Sequence, residues 1–151
     1  MPMEVRRAQT ADLPQLLALV RRYWDFEGIT GFDALRLEIL LQRLLREPAL
    51  GEIWVAAEGA ALAGYLIATR VFSLEHQGMM AEIDEFFVLA EGRSRGTGAA
   101  LLAAAEGSLA AGGCVRLQLQ LGAGNALGAE FYRSRGYGPR AGYRLYDKPL
   151  R

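Results

Sequence analysis

The sequence predicts a single mixed α/β (α+β) domain, and three observations carry that expectation. Leucine stripes recur at helical spacing near the N-terminus, apolar and polar residues alternate over 115–121, and a glycine-rich loop joins a valine-ended strand to an alanine-rich helix. At 151 residues, 52% of them hydrophobic, the chain suits one core over residues 1–151.

Residues 3–8 read as a short first strand. Thr10 can cap the helix that follows, with Asp12 favourable near its positive end. Leu13, Leu16, Leu17, Val20 and Trp24 form one buried stripe, and Pro14 falls in the first turn, where a missing N–H costs least. Asp33 can cap a second helix, whose Leu37, Leu40, Leu41, Leu44 and Leu45 face inward before Pro48 ends it. Trp24, Asp25, Phe26 and Glu27 are expected between these two helices.

Residues 53–57 and 62–72, with a turn at Glu58-Gly59, predict an antiparallel hairpin. A loop holding His76 and Gly78 leads to a strand over 79–89, then to a helix over 98–111 with Leu101, Leu102, Ala105 and Leu109 inward. Val115, Leu117, Leu119 and Leu121 alternate with Arg116, Gln118 and Gln120, as in a strand with one buried face. A short helix through Phe131 and Tyr132 ends at Gly136-Tyr137-Gly138, and 143–148 alternates like a closing strand. The expected order is β, α, α, β, β, β, α, β, α, β.

Charge and cysteine usage narrow the function classes. The 17 basic residues balance 17 acidic ones, so no net field draws the chain to nucleic acid or to a membrane surface. Cys114 is the one cysteine and cannot form an internal disulfide, which fits a reduced cytoplasmic setting. The N-terminus lacks an apolar run ahead of a cleavage site, and no stretch approaches the roughly 18 uncharged apolar residues of a membrane span. No cluster of His, Cys and carboxylates has metal-ligand spacing.

Arg93-Ser94-Arg95-Gly96-Thr97-Gly98-Ala99 reads as a pyrophosphate cradle. Gly96 and Gly98 let the backbone approach a ligand, successive N–H groups at a helix start present positive charge, and Arg93 and Arg95 add full charges. A dinucleotide fold is excluded because Leu101 stands where its fingerprint needs glycine or alanine, and no loop has the Gly-Lys-Ser/Thr ending of a P-loop.

The strand-loop-helix from Phe86 to Ala99, the Asn125, Phe131, Tyr132 spacing, and the Arg135-Gly136-Tyr137 turn occur in an order that resembles the GNAT superfamily of N-acetyltransferases. Ala90, Ser94 and Gly128 stand where that family often has proline, glycine and alanine, and none of these removes a group with a direct chemical task. The resemblance implies a mainly antiparallel sheet with flanking helices and a splayed parallel strand pair that admits acetyl-CoA, the acetyl donor. It also implies that the backbone of Phe86, Phe87 and Val88 pairs with the pantetheine arm and acetyl carbonyl. The N–H groups from Ser94 through Arg95, Gly96, Thr97 and Gly98 to Ala99 would hold the pyrophosphate, and Asn125 would contact the cofactor arm.

By the same resemblance Tyr132 is the candidate acid, since a phenol of pKa about 10 can protonate a departing thiolate held against it. Glu82, eleven residues before Arg93, is the candidate base. Asp84 shares its face by strict alternation, and Glu85 points to the other side unless a bulge intervenes; a water relay is the alternative to both. His76 reads as a surface residue and Cys114 as a small core residue. Trp24, Asp25, Phe26 and Glu27 would wall a pocket suited to an amine.

The function implied is acetyl transfer to a primary amine, on a small molecule or a protein, by direct attack in a ternary complex. The alternative is a non-catalytic acyl-CoA-binding sensor on the same fold. Neither nucleic acid nor membrane is an expected partner, and a homodimer through the C-terminal strand edge is compatible with the resemblance.

Overall fold

The computed structural model describes residues 2–93 and 95–151. The chain divides into two compact units, Met1–Leu119 and Gln120–Arg151. The first holds β1 (Met3–Arg7), α1 (Leu13–Glu27), α2 (Ala34–Arg46), β2 (Gly51–Glu58), β3 (Ala61–Ser73), β4 (Gly78–Val88), α3 (Thr97–Ala111) and β5 (Leu117–Leu119), with 3-10 turns at Thr10–Asp12 and Ala90–Gly92. The second holds α4 (Ala126–Arg133).

The sheet order is β1-β2-β3-β4-β5. Strands β1 to β4 run antiparallel to their neighbours, and β5 pairs parallel with β4. This is the mixed, mainly antiparallel architecture expected. On one face, Leu13, Leu16, Leu19 and Val20 of α1 and Leu41 of α2 bury against Ile53, Val55, Tyr65, Ile67 and Phe87. Leu101, Leu102, Ala105 and Leu109 of α3 are buried as the spacing predicts.

Buried Glu52 ties α3 to the sheet. Its Oε2 accepts from Ser108 Oγ at 3.1 Å and Arg70 Nη2 at 3.0 Å, with Arg7 Nη2 at 3.3 Å, while Oε1 accepts from Trp54 Nε1 at 2.9 Å.

Several expectations need correction. Thr10 caps nothing; it starts a 3-10 turn, and the N-terminal acceptor is Asp12, whose Oδ2 takes the Gln9 N–H at 2.7 Å. Arg6 grips the same carboxylate at 2.7 and 2.9 Å, and this bond holds the Asp12 carboxyl below the usual carboxylate range against the opposing effect of burial. Asp33 does cap α2, accepting from Arg36 N at 3.1 Å. Trp24 to Glu27 form the last turn of α1 rather than a connector, since Leu19 and Val20 carry the buried stripe forward until Gly28 closes the helix. Leu40 is exposed although it matches the stripe of α2.

The C-terminal half of the chain departs most. The strand expected over 115–121 is reduced to three residues, with Val115 and Leu121 exposed. The strand expected over 143–148 does not form. A strand needs a paired neighbour, and among the described residues of the second unit there is none; Pro139 and Gly142 before the segment and Pro149 after it also confine it. Its alternating Tyr143, Leu145 and Tyr146 are exposed. His76 lies in the turn between β3 and β4, its N–H on Ser73 Oγ at 3.1 Å, and Cys114 is half-buried after α3. Among the described residues no helix is long and apolar enough to cross a membrane.

Candidate functional site

Ile67 of β3 faces Glu85 while Ala68 faces Ile83, so Asp84 is an extra residue in β4, a bulge. Directly opposed residues share a face. The pairs Thr69 with Glu82, Ile67 with Glu85 and Tyr65 with Phe87 therefore set Glu82, Glu85 and Phe87 together on the α1 side. Strict alternation would have separated the two glutamates; the bulge cancels it and leaves Asp84 as the residue without an opposite number on β3.

Glu85 is held from two elements. Trp24 Nε1 donates to its Oε2 at 2.8 Å and the Tyr65 hydroxyl to its Oε1 at 2.9 Å. Burial raises the Glu85 pKa above the ordinary carboxylate value, the two donors pull it back, and the charge of Asp84 adds to the rise. Burial likewise pushes the Tyr65 phenol far up, helped by the adjacent carboxylate. Glu82 is half-buried between Thr69 on β3 and Gln118 on β5.

The parallel pair is short. Residues Ala81, Glu82 and Ile83 face Leu117, Gln118 and Leu119, and β4 then continues to Val88 with no strand on that edge among the described residues. Phe86 and Phe87 stay in register with Leu66 and Tyr65 on the other edge. Leu89 N–H bonds Ala63 O on β3 at 2.9 Å, so by alternation the Val88 carbonyl turns toward the open edge. There it accepts from Arg93 Nε at 2.9 Å.

Beyond β4 the chain turns into α3 through Gly96, whose φ of +80° suits glycine. Ala100 N–H makes a helical bond to Gly96 O at 2.9 Å, so the N–H groups of Thr97, Gly98 and Ala99 precede the ladder and lack intrahelical acceptors. No acidic residue occupies this first turn. Thr97 is 1% exposed, and among the described residues its hydroxyl has no hydrogen-bond partner. Gly92 closes in beneath: a Cβ there would lie 3.1 Å from Val88 Cγ1 and 3.5 Å from Thr97 Oγ1. Arg95 is exposed, with Nη1 at 3.4 Å from Glu58 Oε1. N–H groups ahead of the helical ladder, a buried hydroxyl with no partner among the described residues, an exposed guanidinium in the same loop and the field of a helix start form a donor set that fits a phosphate. Ser94 lies outside the described residues.

Arg93 is placed differently from Arg95. Its guanidinium carbon stands 5.3 Å from the Phe26 ring centre and 5.7 Å from that of Phe87, on the α1 face. Trp24 and Phe26, expected as a pocket wall, therefore do meet this face. Tyr65 was missed because an aromatic inside a strand reads as core; the available signal was that a buried tyrosine hydroxyl needs a partner.

In the C-terminal unit Asn125 caps α4, its Oδ1 accepting from Gly128 N–H at 2.8 Å. A Cβ at Gly128 would lie 2.7 Å from Asn125 Nδ2, so glycine suits this cap where the family often has alanine. Tyr132 packs edge-on against Phe131 at 5.2 Å and Tyr137 at 5.5 Å between ring centres, and burial pushes its phenol up to about 12. Arg135 folds over Phe131 at 4.0 Å.

No curated protein matches the chain significantly. Among solved structures, an integron cassette protein from the mobile metagenome of Cole Harbour Salt Marsh is 28% identical, with a TM-score of 0.85 over 97% of this chain and 90% of that one. A possible acetyltransferase from Clostridium difficile 630 shares the fold at 19% identity and a TM-score of 0.84, over 99% of both chains. An aminoglycoside acetyltransferase from an uncultured soil metagenomic sample, solved with sisomicin, shares it at 18% identity and 0.80, over 99% of this chain and 97% of that one. The family model described as acetyltransferase (GNAT) family matches residues 13–137. With the match covering most of its length, the chain belongs to the GNAT acetyltransferase family, and its chemistry is acetyl transfer.

Proposed function

We propose that this protein is an acetyl-CoA-dependent N-acetyltransferase, its two units working as one transferase domain over residues 1–151, and that the acetyl group passes directly to a primary amine in a ternary complex. The observation that carries this reading is the stretch of β4 beyond Ile83, where among the described residues β5 no longer pairs with it, and which runs from a pair of acids toward the first-turn N–H groups of α3 that precede the helical ladder. Acetyl-CoA supplies the activated acetyl thioester. The backbone of Phe86, Phe87 and Val88 orients its arm, and Arg95, Gly96, Thr97, Gly98 and Ala99, with Ser94, hold its pyrophosphate. Asn125 contacts the arm through the amide nitrogen that its cap leaves over.

Attack requires a neutral amine. Glu82 or Glu85 takes the proton; Glu85 suits the task because its raised pKa lies nearer that of an amine than an ordinary carboxylate does. The amine nitrogen bonds to the acetyl carbon as the carbon–sulfur bond breaks, and Tyr132 returns a proton to the departing sulfur.

Calorimetric titration with acetyl-CoA, with NADPH as control, tests the first half of this reading. Micromolar binding of acetyl-CoA alone is expected, and binding of neither by folded protein overturns it. A thiol-release assay over a panel of primary amines tests the second half. Binding without release from any amine would favour an acyl-CoA sensor.

A further inference from the structure

The acetyl-CoA reading lays the arm of the donor along the backbone of Phe86, Phe87 and Val88, and one of those groups already has a partner. The Val88 carbonyl, on the edge of β4 beyond β5, accepts from Arg93 Nε at 2.9 Å. Two rings steady the same guanidinium, whose carbon stands 5.3 Å from the Phe26 ring centre and 5.7 Å from that of Phe87. Arg93 thus holds an acceptor that the arm needs.

Arg93 also belongs to the glycine loop, and Gly92 brings the two ends of that loop together. A Cβ at Gly92 would lie 3.1 Å from Val88 Cγ1 and 3.5 Å from Thr97 Oγ1. The next residue, Arg93, therefore leaves the backbone beside both the carbonyl that it holds and the first turn of α3. Its side chain is long, exposed and flexible, so rotation about its own torsions carries the guanidinium from one to the other.

The two acceptors are unequal. A carbonyl offers one neutral oxygen, whereas a pyrophosphate offers charged oxygens that a guanidinium grips in pairs, each bond about twice as strong. A thioester that carries a pyrophosphate gives the displaced Arg93 a better partner than the one it loses. A thioester without phosphate must break the Val88 bond and leaves the guanidinium to water.

Resting on the acetyl-CoA reading, we infer that Arg93 is a specificity residue for the donor: it keeps the arm's place at the Val88 carbonyl and yields it to a ligand whose pyrophosphate it can grip. The two halves of the donor are then coupled, since filling the cradle draws Arg93 off β4 and readies the strand for the arm. Phosphate-free acyl thioesters are disfavoured by the same bond.

The test divides the donor into acetyl-pantetheine and inorganic pyrophosphate and follows binding by calorimetry. With wild type, saturating pyrophosphate should raise the affinity for acetyl-pantetheine by about threefold or more. Arg93→Met keeps the length of the side chain and removes its donors and charge. This variant should bind acetyl-pantetheine about threefold more tightly than wild type, gain nothing further from pyrophosphate, and bind acetyl-CoA less tightly. No effect of pyrophosphate on wild type overturns the inference. Unchanged or weakened acetyl-pantetheine binding in Arg93→Met does so too, as the result expected of a phosphate ligand alone or of a residue that only supports the loop. Failure of both proteins to bind acetyl-pantetheine measurably also overturns it. Titration of wild type with intact acetyl-CoA reads the underlying assignment separately: micromolar binding with uncoupled fragments sinks this inference alone, and no binding sinks the acetyl-CoA reading itself.

Discussion

Glu85 and Trp24 lie 61 residues apart in sequence and 2.8 Å apart in the fold, joined by the indole N–H. That bond favours the ionised carboxylate and partly offsets burial. Trp24→Phe keeps the ring and removes the donor, so the Glu85 pKa should climb further. The acidic limb of the kcat/KM profile should move to higher pH. Glu85→Gln should lower kcat/KM by about 10²- to 10⁴-fold if Glu85 is the base, whereas Glu82→Gln should then have the smaller effect. Initial rates across pH 5–9 check both expectations.

Glu85 and Asp12 should pull stability in opposite directions with pH. The Glu85 pKa is raised on folding, so its contribution is full below the ordinary carboxylate range and is lost as pH rises through the folded value. Asp12 is lowered, so its contribution is present above about 3.9 and is lost as pH falls through the folded value. Glu85→Gln should therefore gain on wild type more at pH 7 than at pH 4. Asp12→Asn should lose most at pH 7 and least near pH 2. Denaturant midpoints at these pH values give the comparison.

Tyr132, with its phenol pushed up to about 12, stays protonated across the working range. Its titration should produce no alkaline fall in rate below about pH 11. Tyr132→Phe should cut thiol release by about 10²-fold and leave acetyl-CoA affinity within about twofold, as loss of a proton donor rather than a binding group predicts. Thiol detection and calorimetry on one preparation separate the two effects.

Glu52 is a stability residue on the far side of the sheet. Glu52→Ala would leave the half-buried Arg70 without its carboxylate, and Arg70 Nη1 already has no partner among the described residues. Removing one member of such a pair costs about 3–5 kcal/mol. Thermal unfolding should show a midpoint lowered by about 10 °C, with acetyl-CoA affinity reduced only in proportion to the unfolded fraction.

Local patterns foretold the first unit well because its helices and hairpin bury one face each. The leucine stripes of α1, the cap at Asp33 and the inner face of α3 follow from spacing alone. The sequence raises a bulge only as a condition on Glu85: the adjacent acids Asp84 and Glu85 break the alternation without saying which residue is extra, and the register of β3 places it at Asp84. The Glu85 network needed three distant elements to meet, and the stacking of Arg93 on Phe26 depended on where α1 ends. Alternation at 143–148 misled for the converse reason: a period of two describes how a strand would face, not whether a neighbour exists to pair with it.

The end of β4 that runs on past β5 is also a hazard. An exposed strand edge is a template on which another chain can add itself, and proteins discourage that with charges placed at the edge. Here the edge opens where the bulge twists it, and Glu82, Asp84 and Glu85 place three carboxylates within four residues of that point. These carboxylates make this strand a poor seed for aggregation, so substitutions that neutralise them bear on solubility.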